Sequence, residues 1–150
     1  MKDFITSEST LDPDAIRSRG FAARIFPEFP SEEEIALISD LIGATEIEFW
    51  AHEFGLPSQH FAAQPVGLMF EKLFENAPYG LLIHFLGRNL FIWAPEDHEF
   101  LVVFGNSDMV HHVEQSGIFS YKFADYLNSG DLSTKTVKHL EQMMETYTIC

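Results

Sequence analysis

Residues 81–104 read LLIHFLGRNLFIWAPEDHEFLVVF, and this stretch decides the fold class. Three short apolar runs, Leu81 to Leu86, Leu90 to Ala94 and Phe100 to Phe104, are separated by Gly87-Arg88-Asn89 and Pro95-Glu96-Asp97-His98. Runs of this length, rich in aromatic and β-branched residues and bounded by turn formers, read as strands. Loops this short join antiparallel neighbours, so the stretch predicts a three-stranded meander. Both sides of each strand are apolar, so both faces of the sheet need a covering layer.

Upstream, Thr45 to His52 alternates with period two. Thr45, Ile47, Phe49 and Ala51 fall on one side, and Glu46, Glu48, Trp50 and His52 on the other. This is a half-buried fourth strand. The segments around the strands read as helices. Asp12-Pro13 opens one that Gly20 stops. Ser31 and Glu34 form a capping box ahead of Ile35, Ile38, Leu41 and Ile42, with Gly43 as the stop. Pro65 opens a helix striped by Val66, Met69, Phe70, Leu73 and Phe74. Towards the C-terminus, Ser107 caps a segment with Val110 and Val113, a second carries Phe119, Phe123, Tyr126 and Leu127, and Ser133 caps a last helix. Phe21 to Pro30 is punctuated by Pro27 and Pro30 and reads as a loop or a short edge strand. The expected architecture is one α+β domain over residues 1–150, with a mostly antiparallel sheet of about four strands covered by helices.

A chain of 150 residues with 46% hydrophobic residues and 15 phenylalanines has ample apolar surface for a core. The one cysteine, Cys150, cannot form an internal bridge. The N-terminal MKDFITSEST lacks the apolar run of a secretory signal, and the apolar runs are too short to span a bilayer, so the expected location is cytoplasmic.

Charge is the most unusual property. Nine Lys and Arg against 23 Asp and Glu give a formal charge of −14. No Lys or Arg lies between Arg24 and Lys72, nor between Arg88 and Lys122, although carboxylates are frequent in both stretches. Such a surface disfavours direct contact with nucleic acid or anionic membrane and attracts cationic proteins. Acidity that serves solubility alone is the plain alternative.

Catalytic patterns are absent. His111-His112 followed by Glu114 lacks the i, i+4 histidine pair of a zinc-protease helix, and HEFGLPSQH (52–60) is broken by Gly55 and Pro57. There is no cysteine pair, no G-x-S-x-G and no phosphate-cradling loop. The expectation is therefore a binding protein and not an enzyme, with no cofactor and no metal, its histidines structural or on the surface. The residues expected to meet a partner are Glu32, Glu33, Glu46, Glu48, Trp50 and Glu53, in which an exposed Trp50 is an aromatic anchor set among carboxylates. If a helix instead covers Trp50, it becomes ordinary core.

The acidic, aromatic segments EIEFWAHEF (46–54) and EDHEFLVVFGNSD (96–108) resemble those of small bacterial immunity proteins, the cytosolic antidotes of contact-dependent and other polymorphic toxins. The resemblance spans the chain and lies in type of composition, not in a defined motif, so it transfers no functional residue. It implies one-to-one inhibition of a basic toxin domain, often a nuclease. A DNA-mimicking inhibitor of a host defence protein and a small carboxylate–histidine enzyme are the alternative readings.

Overall fold

The computed structural model describes residues 4–119, 123–130 and 132–150. Its centre is a six-stranded antiparallel sheet in the order β1-β6-β5-β4-β2-β3. The strands are β1 (Ala22–Pro27), β2 (Glu46–His52), β3 (Gln59–Pro65), β4 (Gly80–Phe85), β5 (Leu90–Ala94) and β6 (Phe100–Gly105). The helices are α1 (Pro13–Ser18), α2 (Glu32–Ile42), α3 (Val66–Glu75), α4 (Ser107–Gln115), α5 (Phe123–Leu127) and α6 (Thr134–Tyr147).

The expected meander is present as β4, β5 and β6, and every residue of β5 and β6 is buried. Period two on each strand divides the core between the faces. On one face, Ile35 and Ile38 of α2, Met69 and Leu73 of α3, and Val110 and Val113 of α4 pack on Ile47, Phe49, Ile83 and Val103. On the other, Phe4, Leu11, Ile16 of α1, Phe123 of α5, and Leu140 and Tyr147 of α6 pack on Ala23, Leu82, Phe91, Trp93 and Phe104. Apolar burial on both sides, at about 25 cal/mol per Å², is the dominant stabilising term.

Local signals account for the helix ends. The Ser31–Glu34 capping box forms in both directions, at 3.1 and 2.8 Å, and Gly43 ends α2 in the left-handed conformation. Asp12 caps α1 by accepting the N–H of Asp14. At α4 the cap is Asn106, not Ser107: its side chain accepts from Asp108 and Met109, and Ser107 is already helical. An amide oxygen that can serve two N–H groups displaces a hydroxyl one residue later.

The sheet has six strands where about four were expected. The segment around Phe21 to Pro30 is β1, an edge strand with Pro27 at its last position, where a missing N–H does least harm. The second addition is β3, QHFAAQP, on the opposite edge. It has little apolar alternation because it borders solvent on its outer side, and Ala62 and Ala63 bulge opposite Glu48. The two edges are finished differently. On β1, Ala23 exchanges backbone hydrogen bonds with Ile149, at 2.8 and 3.0 Å, and the Arg24 guanidinium holds the Ile149 carbonyl. Among the described residues no further strand pairs with β3. No helix is long and apolar enough to cross a membrane, again among the described residues.

Candidate functional site

The register places each loop at one of two ends of the sheet. Pairing of Pro27 with Phe100, Leu81 with Ala94, His52 with Gly80, and Ala51 with Gln59 puts four connections at the same end. They are β1–α2 (28–31), β2–β3 (53–58), α3–β4 (76–79) and β5–β6 (95–99). These connections touch one another: Glu28 donates its N–H to the Glu99 carbonyl, Phe29 packs on His98 at 4.6 Å, and His98 Nε2 bonds the Ala77 carbonyl. The N-terminal turn, held by Thr6 and Thr10, joins the group beside His52 and Phe54.

This end is strongly anionic. Glu8, Glu28, Glu53, Glu96, Asp97 and Glu99 lie in these loops, and Glu32 and Glu33 open α2 beside them. None of the loops carries Lys or Arg. Lys135, one turn before His139, and Lys138, next to it, are exposed and flank the end on α6, where His139 approaches Glu99 at 3.9 Å. At the opposite end lie Arg17, Arg19 and Arg88. The two long basic-free stretches of the sequence supply three of these connections, 28–31, 53–58 and 95–99. Two large apolar side chains stand out there: Phe54 is 69% exposed and Leu56 60% exposed, both at the β2–β3 tip.

The six residues expected to form one partner surface are spread over different places. Glu46, Glu48 and Trp50 share a face of β2, as alternation requires. Glu32 and Glu33 belong to α2, which covers the other face, so they do not join that constellation. Glu46 sits at the end away from the anionic loops, whereas Glu53 lies within them. Glu48 is engaged internally, with its carboxylate 3.4 Å from His84 Nδ1 and 3.9 Å from His60 Nε2. Trp50 is half-buried and packs against the core beside Leu82, with His60 stacked on it; α1, α5 and α6 make their main contacts with β1.

No family model matches this sequence, and no curated protein or solved structure is significantly similar to it. The site must be judged on its own chemistry.

His52 ends β2 between two cavities. One, of about 220 Å³, is lined by Glu8, Ser9, Thr10, His52, Phe54, Gly80, Trp93, Pro95, Glu96 and Asp97. The other, of about 550 Å³, lies between the hairpin tip and Ile5–Ser9. The His52 ring stands edge-on to Trp93, with centroids 5.8 Å apart, and its buried Nε2 has no hydrogen-bond partner among the described residues. Burial lowers its pKa, because an imidazolium would lose hydration there without gaining a partner.

A separate cavity of about 690 Å³ lies between β1, α4 and α6. Its cation, Arg24, is occupied internally by Glu114 at 3.0 Å and by the carbonyls of Ala23 and Ile149. Asp97, Glu99 and His139 have ligand atoms within 4.8 Å of one another, the one such group among the described residues that could hold a metal ion. His111 meets Glu114 at 3.6 Å, one helical turn away on the surface of α4. The sequence indicated Glu53 but not the N-terminal turn or the β5–β6 turn as parts of the site. The signal for the β5–β6 turn was the absence of Lys and Arg between Arg88 and Lys122, which becomes spatial only once the strand register is known; no such signal marked the N-terminal turn.

Proposed function

We propose that this chain is a binding protein that engages a basic protein partner through the anionic end of its sheet, in the manner of an immunity protein occluding a toxin domain. The observation that supports this reading most is the pairing of exposed Phe54 and Leu56 with a surround of carboxylates drawn from separate loops. Apolar side chains at the tip can desolvate against a partner, while the carboxylates around them select for lysine and arginine and accelerate encounter. Solubility alone does not call for apolar side chains among carboxylates, whereas here Phe54 and Leu56 stand exposed at an end whose loops carry carboxylates and no Lys or Arg.

The test is affinity capture from the source cells at low salt with the native protein and with the triple variant Glu53→Gln/Glu96→Gln/Glu99→Gln. The reading expects one basic protein, retained equimolar with the native chain and lost to the variant, whose toxicity on expression is suppressed by co-expressing this chain. A DNA-binding defence protein captured in its place would make the chain a DNA mimic. Equal retention on native and triple variant would remove the anionic end from any role in binding.

A further inference from the structure

We propose that the 220 Å³ cavity beside His52 is a receptor for a guanidinium group, filled in the complex by an arginine side chain of the partner. This rests on reading the anionic end as the surface that meets a basic protein, and it names the group that anchors there.

Charge decides the sign of the occupant. Glu8, Glu96 and Asp97 line the cavity and no Lys or Arg does, so an anion is repelled and a neutral apolar group would strip water from carboxylates without replacing it. A cation restores those interactions. Shape then separates the two protein cations. The inner wall holds Trp93, only 3% exposed, and Gly80 lies against the indole edge so closely that a Cβ there would come within 2.8 Å of it. Phe54 stands at the mouth with most of its ring exposed. A planar guanidinium presents apolar faces to aromatic walls and N–H donors at its edge to carboxylates. An ammonium is a compact, strongly hydrated charge and gains less from such walls. Of the three carboxylates, that of Asp97 is held in the β5–β6 turn, where its Oδ1 accepts the Glu99 N–H at 3.1 Å. His52 completes the wall; its lowered pKa keeps it uncharged at neutral pH, so it adds no repulsion to an incoming cation.

The experiment titrates Nα-acetyl-arginine methylamide into the isotope-labelled full chain. Backbone amide shifts of His52, Gly80 and Asp97 and the indole N–H of Trp93 are followed by NMR. Matched titrations use the citrulline analogue, equal in shape but uncharged, and the lysine analogue. Expected are saturable shifts at those residues with a dissociation constant on the order of millimolar, as suits a single anchoring side chain. Citrulline should bind about tenfold more weakly, and the Glu96→Gln/Asp97→Asn variant should weaken arginine binding by a similar factor while its amide spectrum away from the cavity stays that of the native fold. The proposal is overturned by an absence of saturable shifts, by equal binding of citrulline, or by lysine binding as tightly as arginine. Any of these results leaves capture of a basic protein by the anionic end to stand or fall on its own experiment. Loss of capture with arginine binding intact would instead overturn the proposed function alone.

Discussion

The imidazole of His60 lies flat on the indole of Trp50, with ring centroids 4.7 Å apart and planes 15° from parallel. The two residues pair directly across β2 and β3, and the indole is half-buried. Trp50 is therefore neither a free anchor nor fully enclosed core. Trp50→Ala should destabilise the protein by about 2 kcal/mol, short of the loss from a fully buried aromatic. His60→Ala should cost under about 1 kcal/mol, while shifting tryptophan emission to the red as the indole meets water. Denaturant titrations and fluorescence spectra of both variants check this. A Trp50→Ala variant as stable as the native chain would show that the indole contributes no packing.

Segregated charge has a consequence that needs no partner. With a formal −14 and the carboxylates of five segments gathered at one end, the native state repels itself at low ionic strength. Screening shortens the Debye length from about 30 Å at 0.01 M to about 8 Å at physiological ionic strength. Sodium chloride should therefore raise the melting temperature by a few degrees over this range. The triple variant at Glu53, Glu96 and Glu99 should begin higher and respond less. A melting temperature that falls with salt would mean that ion pairs such as Arg24–Glu114 outweigh the repulsion.

Most of the element pattern was legible in the sequence for identifiable reasons. The meander is buried on both faces, so its apolar runs are unbroken, and β2 is half-buried, so it alternates. The capping box at Ser31 and the cap at Asp12 are local chemistry and appeared where their residues stand. Of the two edge strands, the proline-punctuated segment offered β1 as one of two readings, and β3 was illegible. Strand β3 owes its existence to backbone pairing with β2 and not to its own side chains, so QHFAAQP carries no periodic signal. The candidate site was half legible for a related reason. Glu53 was reachable from composition, but its association with Glu8, Glu96 and Asp97 depends on a register that only the folded sheet supplies. Alternation along β2 grouped Glu48 with Trp50 correctly but could not show that His60 and His84 already surround that carboxylate.

His52 gives a pH dependence of known sign. Its folded-state pKa lies below 6.5, so the unfolded chain takes up a proton first as the pH falls. Stability from this group is complete above the unfolded value and is lost as the pH drops through 6.5 towards the lower folded value. The difference in unfolding free energy between the native protein and His52→Asn should therefore shift against the native protein between about pH 7 and pH 5. Comparing the two proteins cancels the titration of the many carboxylates. A constant difference across that window would show that His52 is protonated equally in both states.

Tyr147 joins the two ends of the chain. Its hydroxyl, on the last turn of α6, donates to the Leu11 carbonyl at 2.7 Å. Burial, aided by Asp12, pushes its pKa up to about 12. Tyr147→Phe should cost about 1–2 kcal/mol, the hydrogen bond together with a stranded carbonyl. In the native protein the unfolded tyrosine ionises first, near pH 10, so stability should fall as the pH rises from there towards 12, and the phenylalanine variant should lack that component. Alkaline denaturation curves that coincide for the two proteins would exclude the linkage.

Gly80 and Trp93 provide the sharpest link between packing and the candidate site. A Cβ at Gly80 would lie 2.8 Å from Trp93 Cη2 and 3.3 Å from Cζ2, with the His52 carbonyl 3.5 Å behind it. The indole is rigid and 3% exposed, so it cannot yield by rotating a flexible tip. Gly80→Ala should therefore destabilise by about 1–3 kcal/mol through overpacking. Relief lies towards the cavity that Gly80 and Trp93 line together, so the substitution should also weaken binding of the arginine analogue. Trp93→Phe removes the atoms that clash but leaves a gap of its own. Combined with Gly80→Ala it should cost less than the two single changes added together, a coupling of about 1 kcal/mol in a double-mutant cycle. Strict additivity would show that the alanine methyl is accommodated by backbone movement at the start of β4, and that the indole does not set the depth of the cavity.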